Sequence, residues 1–184
     1  VRREINTPAA YQMKRTLFEN ALTLVRDDRN FTRDASGAAQ PVSTFTDAVA
    51  TLALGDTTLT LFQQNCGRYA PLVHFNVGLT VDSLTTARLL DSLSRYRLVL
   101  VSHHKTRSRA RDNYGLSDSQ IALVNQLNRR TNVALTLFGN PYSAKYFDDC
   151  PALMVAFTED PMAQEVAAQM WFGALDVRGK LPVT

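Results

Sequence analysis

The run Ala48-Val49-Ala50-Thr51-Leu52-Ala53-Leu54-Gly55 decides how this chain folds. It is apolar at almost every position and stops at a glycine. A strand with one wet face alternates apolar and polar residues; this run does not, which marks a strand buried on both faces. Runs at 72–77, 98–101, 133–138 and 152–157 share its character. Between them the apolar period lengthens to that of a helix. Leu59, Phe62 and Cys66 carry it over 56–69, and Leu84, Ala87, Leu90 and Leu93 over 82–95. Ile121, Val124 and Leu127 follow a capping box of Ser117 and Gln120. Val166, Ala167, Met170 and Trp171 turn inward over 160–173, with Pro161 at the first turn and Gly173 as the stop. Pro141 opens a short helix to Phe147. Strand and helix alternating from 48 to 173 predict an α/β fold. It is a three-layer αβα sandwich around a doubly wound, mostly parallel sheet of flavodoxin or Rossmann-like topology.

Working outward, residues 1–26 read as a linker helix and a first strand. Thr7 caps a helix over 8–20, with Tyr11, Leu17 and Phe18 as core contacts, and 21–25 is an edge strand. Residues 27–43 form a polar loop, which holds a bare glycosylation sequon at Asn30-Phe31-Thr32. Residues 174–184 leave the domain as an extended segment. The whole of 1–184 is read as one domain.

A chain of 184 residues, 45% hydrophobic and 20% charged, has the composition of an ordinary globular domain. The net charge of +3 is too small to argue for nucleic acid. No apolar run approaches the roughly 20 residues of a membrane-spanning helix. Cys66 and Cys150 are far apart and read as buried small hydrophobes, with no zinc or redox spacing. The chain opens on Val1 with no signal-like apolar stretch and stops within an extended segment. The expectation is a piece of a longer protein.

In an open α/β sheet, function gathers at the carboxyl ends of the strands. There the 102–116 loop stands out: Ser102-His103-His104-Lys105-Thr106-Arg107-Ser108-Arg109-Ala110-Arg111-Asp112-Asn113-Tyr114-Gly115-Leu116. It exceeds the roughly 2–6 residues usual for such a connection. His103, His104, Lys105, Arg107, Arg109, Arg111 and Asp112 are therefore the candidate substrate-loop residues. Adjacent His103 and His104 lack further patterned ligands, so no metal site is read. The glycine-rich phosphate loops and the GxSxG nucleophile turn do not occur, and no cofactor is implied. Thr57 and Thr58 read as helix caps. Asp160, before Pro161, reads as an N-cap rather than as half of a carboxylate pair with Glu159. No catalytic residue is assigned.

Four stretches resemble the C-terminal α/β sandwich domain of glycoside hydrolase family 3. They are the helix leading to Ala21-Leu22-Thr23-Leu24-Val25-Arg26; Asp112-Asn113-Tyr114-Gly115-Leu116-Ser117 with Gln120-Ile121-Ala122-Leu123-Val124; Val133-Ala134-Leu135-Thr136-Leu137-Phe138-Gly139-Asn140-Pro141-Tyr142; and Ala167-Ala168-Gln169-Met170-Trp171-Phe172-Gly173-Ala174 with Gly179-Lys180-Leu181-Pro182-Val183-Thr184. The resemblance implies a parent that is a retaining β-glycosidase. Its N-terminal (β/α)8 barrel carries the nucleophile and is the partner of this domain. In many β-glucosidases of the family the loop matching 102–116 lends a Glu acid/base, whereas 102–111 here contains no carboxylate. Retaining hydrolysis still needs an acid. The basic loop and Thr158-Glu159-Asp160-Pro161 resemble the β-N-acetylglucosaminidase branch found in Bacteroidetes-type bacteria. That branch takes its acid from the barrel. The resemblance then implies an exported parent, periplasmic or extracellular, with a β-lactamase-like domain able to follow. The carbohydrate contact would be indirect. Two other readings stay open: a stand-alone flavodoxin-like module binding an anion, and a pure interdomain scaffold.

Overall fold

The computed structural model describes residues 7–28, 31 and 48–181. The linker at 1–6, nearly all of the 27–43 loop with Asn30 and Thr32 of the sequon, and the closing 182–184 lie outside the described residues. Helix α1 spans Pro8–Ala21 and leads into strand β1, Thr23–Asp27. Then come β2 (Val49–Leu54), α2 (Leu61–Cys66), β3 (Val73–Val77), α3 (Ser83–Leu93) and β4 (Leu98–His103). A 3-10 turn at Ala110–Gly115 precedes α4 (Asp118–Asn128) and β5 (Asn132–Leu137); a second one at Pro141–Phe147 precedes β6 (Ala152–Val155) and α5 (Pro161–Trp171).

The six strands form one sheet in the order β1-β6-β5-β4-β2-β3. All neighbours are parallel except β1, which runs antiparallel to β6 at one edge. This is the mostly parallel α/β sheet expected. The order reverses between β2 and β4, so the switch point lies at the carboxyl ends of those two strands. Each face has its own core. Phe62, Cys66, Leu98, Leu100, Phe138 and Trp171 pack on the α2 and α5 side. Leu52, Leu54, Val99, Val101, Leu127 and Phe147 pack on the α3 and α4 side. Every residue of β2 and β4 is buried, which is why those strands read as unbroken apolar runs.

The caps at Thr7, Ser117 and Asp160 form as expected, Ser117 completes its capping box with Gln120, and Asp82 caps α3. Gly173 ends α5 at φ 71°. Cys66 and Cys150 are buried free thiols. Burial raises the pKa of both, that of Cys150 to about 11.

Several sequence expectations shift. The helix expected over 56–69 forms only at Leu61–Cys66. Thr57 and Thr58 are not its caps. The Asp56 carboxylate accepts from the Thr58 N–H and hydroxyl in a turn, and Thr60 caps instead, in a box with Gln63. In α1, Tyr11 and Leu17 are 52% and 65% exposed rather than core contacts, and only Phe18 packs inward. Polar contacts hold this helix: Lys14 pairs with Asp160, and Arg15 bonds Glu19, Glu165 and Gln169. Lastly, β4 does not stop at Val101 but continues through Ser102 and His103, in register with Ala53 and Leu54 on one side and Thr136 and Leu137 on the other. Small residues are needed there. Ala53, Ser102 and Thr136 form a cross-strand row of small side chains. Its polar atoms are matched, the Trp171 indole donating to the Thr136 hydroxyl at 2.8 Å.

Candidate functional site

The loop that leaves β4 begins at His104, not at Ser102. Its first residues are part of the core. His103 is 1% exposed and His104 is 3% exposed. The His104 ring stacks on Phe138 with centroids 5.2 Å apart, and its Nε2 shares a 2.9 Å hydrogen bond with the Ser102 hydroxyl. Neither ring nitrogen of His103 has a hydrogen-bond partner. The Gly115 backbone lies close enough to favour its protonated form weakly, against the larger effect of burial. Burial, the largest cause for both, pushes each imidazole down to about 4, so both are neutral at pH 7. Protonated imidazoles there would be unsolvated. The two histidines thus anchor the loop and do not face outward.

The exposed candidates follow. Lys105 Nζ lies 3.9 Å from Asp56. The Asp56 carboxyl is held below its ordinary range, chiefly by the Thr58 backbone N–H. Arg107 and Arg111 approach Asp112 at 3.9 and 3.7 Å. The loop's one carboxylate therefore sits between two guanidiniums. Arg109 is exposed, and its carbonyl accepts from the N–H groups of Asp112 and Tyr114, both at 3.2 Å. Arg107, Arg111 and Asp112 meet in one cluster. Lys105 stands apart with Asp56, and the histidines lie beneath.

The loop is tied down at both ends. The Thr106 N–H donates to Glu159 Oε1 at 2.6 Å, and the Arg107 N–H donates to the Tyr114 carbonyl at 2.9 Å. The Tyr146 hydroxyl donates to Asn113 Oδ1 at 2.9 Å. Lys145 lies over the rings of Tyr114 and Tyr146, 5.9 and 5.0 Å from their centroids. Among the described residues, the four non-glycine positions with positive φ are Lys105, Asn113, Tyr114 and Phe157. All four are in loops after β4 or β6. Such backbone costs on the order of 1–3 kcal/mol per residue and persists only where its surroundings over-determine it. At Tyr114 burial does that, the side chain being 7% exposed.

Beside the loop lies a groove of about 480 Å³, lined by Thr106, Arg107, Ser108, Asn140, Pro141 and Phe157. Gly139 is its floor: a Cβ there would stand 2.7 Å from the Thr106 side chain. At the switch point the backbones after β2 and β4 approach closely. Gly55 has φ 91°, and a Cβ on it would lie 2.5 Å from the His104 carbonyl oxygen. Among the described residues no three of His, Cys, Asp or Glu come together as metal ligands. What this edge offers is a rigid cationic rim and a shallow groove, suited to shaping or binding; its carboxylates are occupied by N–H groups or guanidiniums.

Sequence reasoning placed the loop but missed Glu159, Tyr146 and Phe157. Asn113 and Gly115 carried a readable signal, since Asn and Gly tolerate left-handed backbone. A glutamate read beside an N-cap gives no hint that it reaches a loop 53 residues away.

No model of a known protein family matches the chain, and no curated protein matches it. Solved structures do match. A fungal multi-domain family 3 β-N-acetylglucosaminidase superposes at a TM-score of 0.71 and 16% identity, covering 99% of this chain and 20% of the other. A family 3 β-N-acetylglucosaminidase from a Paenibacillus species gives 0.70 and 16%, over 97% of this chain and 34% of the other. A β-glucosidase from Listeria innocua, in complex with isofagomine, gives 0.69 and 13%, over 98% and 28%. This chain therefore spans between 20% and 34% of the length of these proteins, and across nearly its whole length it has the fold of one part of them.

Proposed function

We propose that this chain is the non-catalytic α/β domain of a glycoside hydrolase of the family 3 kind, one that cleaves terminal β-linked sugars. It packs against an N-terminal (β/α)8 barrel, and the rim after β4 shapes the barrel's site without supplying its acid. The observation that carries this reading is the state of the loop. It is pinned by Glu159, Tyr146 and Tyr114, presents cations outward, and has its single carboxylate between Arg107 and Arg111. An acid/base residue must reach the leaving oxygen and hold a proton. The stretch from Ser102 to Arg111 supplies no carboxylate for that role. The branch is that of the β-N-acetylglucosaminidases, and the parent is exported to the periplasm or beyond, with a β-lactamase-like domain able to follow.

The test uses the full-length parent with aryl β-N-acetylglucosaminide and aryl β-glucoside. The Arg107→Ala/Arg109→Ala double variant raises KM about fivefold with kcat nearly unchanged, the signature of lost binding rather than lost chemistry. Unchanged kinetics reduce the domain to a scaffold. Turnover by this chain alone, abolished by substitutions within it, overturns the proposal. Secretion of the parent is read by cell fractionation.

A further inference from the structure

The opposite edge of the sheet carries a second polar depression, of about 490 Å³, whose walls hold Arg95, Arg97, Arg129 and Arg130 with Thr131 and Asn132 between them. These residues follow α3 and α4 and lead into β4 and β5. All four arginines are exposed. One part of this cluster has an ordinary purpose. The carboxyl ends of α3 and α4 both point here, and a helix end of that kind carries about half a negative charge. The Asp91 carboxylate, 3.3 Å from Arg95, supplies another. Arg97 has an interaction of its own and can be set aside. Arg95, Arg129 and Arg130 then face one carboxylate and two helix ends, which together amount to about two negative charges. Among the described residues about one positive charge is left over, concentrated in one concavity.

We infer that this depression is a binding site for a small polyanion bearing phosphate or clustered carboxylate groups. Guanidinium groups match such oxyanions through paired N–H donors, which lysines cannot offer. The walls add hydroxyl and amide side chains in Thr131, Asn132 and Asn128. Their existing bonds fix the loops: the Thr131 hydroxyl donates to the Tyr96 carbonyl, the Asn132 amide to the Arg97 carbonyl, and the Asn128 amide to the Asp149 carbonyl. The arginines therefore project from turns that are held in place. The site lies at the amino ends of the strands, away from the cationic rim, and does not depend on the hydrolase reading.

The test is titration calorimetry of this chain with pyrophosphate, and with inorganic phosphate and citrate in parallel, at low and moderate salt. Pyrophosphate binds saturably with one site, and its affinity falls as salt rises. The Arg129→Ala/Arg130→Ala double variant weakens binding about tenfold or more, while Arg68→Ala/Arg88→Ala, an equal loss of charge on exposed helix and turn positions elsewhere, changes it less than about twofold. Arg130→Lys, which keeps the charge but loses the paired donors, falls between and serves if the double variant does not fold. Citrate matching pyrophosphate assigns a carboxylate ligand, and citrate failing assigns a phosphate one. Absence of saturable binding, or equal weakening by both double variants, overturns the site.

Discussion

His103 is the residue whose chemistry sets the clearest expectation. An imidazole with no partner, sealed at the end of a central strand, is tolerable only while neutral. Its folded pKa of about 4, like that of His104, lies below the ordinary 6.5. A group depressed in this way is protonated first in the unfolded chain. Stability is therefore full above pH 6.5 and falls as pH drops toward 4, on the order of 3 kcal/mol per imidazole at most. His74 is shifted in the same direction by burial and adds to the slope. Urea denaturation at steps from pH 7 to 4.5 reads this loss, and His103→Leu, which removes the orphaned nitrogens, flattens it. Gly55 gives the second residue-scale prediction. Gly55→Ala meets both a disfavoured φ and the His104 carbonyl, and lowers stability by at least about 2 kcal/mol. These histidines show why residue type alone misleads. A histidine pair in a polar stretch reads as ligand-facing, but strand pairing carries His103 inside, a fact that no local pattern encodes.

Among the elements, α2 is the instructive case. At six residues it is too short to be stable by itself, and tertiary contacts must hold it. Gln63 supplies them. Its side chain accepts from the Thr60 N–H, closing the cap, and donates to the Thr51 hydroxyl and the Phe75 carbonyl, joining the helix to β2 and β3. Thr60→Ala removes only the cap and costs about 1 kcal/mol. Gln63→Ala leaves several buried groups unmatched and costs more, about 2–3 kcal/mol. Thermal denaturation of the two variants ranks them. The ordering fails if Gln63 is merely a cap residue. The sequence spacing predicts a helix over 56–69, more than twice as long, because Leu59 falls at helical spacing; the Asp56 turn competes for those residues and wins. The box at Ser117 and the cap at Asp160 were legible because each cap and its first turn lie within four residues.

On the scale of the whole molecule, α1 is attached rather than embedded. It buries no residue fully and is held to α5 by Arg15, Lys14 and Phe18. Arg15→Ala therefore frees it selectively. Hydrogen exchange over 8–21 speeds up, while the amides of β2, β4 and β5 keep their protection, and global stability changes by no more than about 1 kcal/mol. Loss of protection throughout the sheet argues instead that α1 is part of one cooperative unit. The alternation of period-free apolar runs with helical spacing determined the layered α/β architecture, the antiparallel edge apart, since burial on both faces leaves a direct trace in composition. The long cationic connection after β4 was equally plain from its length and its arginines. Strand order, the close approach of His104 to Gly55, the Glu159 clamp and the gathering of four arginines at the far edge were decided only in three dimensions. Each depends on residues tens of positions apart meeting through the sheet, and a one-dimensional pattern records what a residue must avoid, not which distant partner it meets.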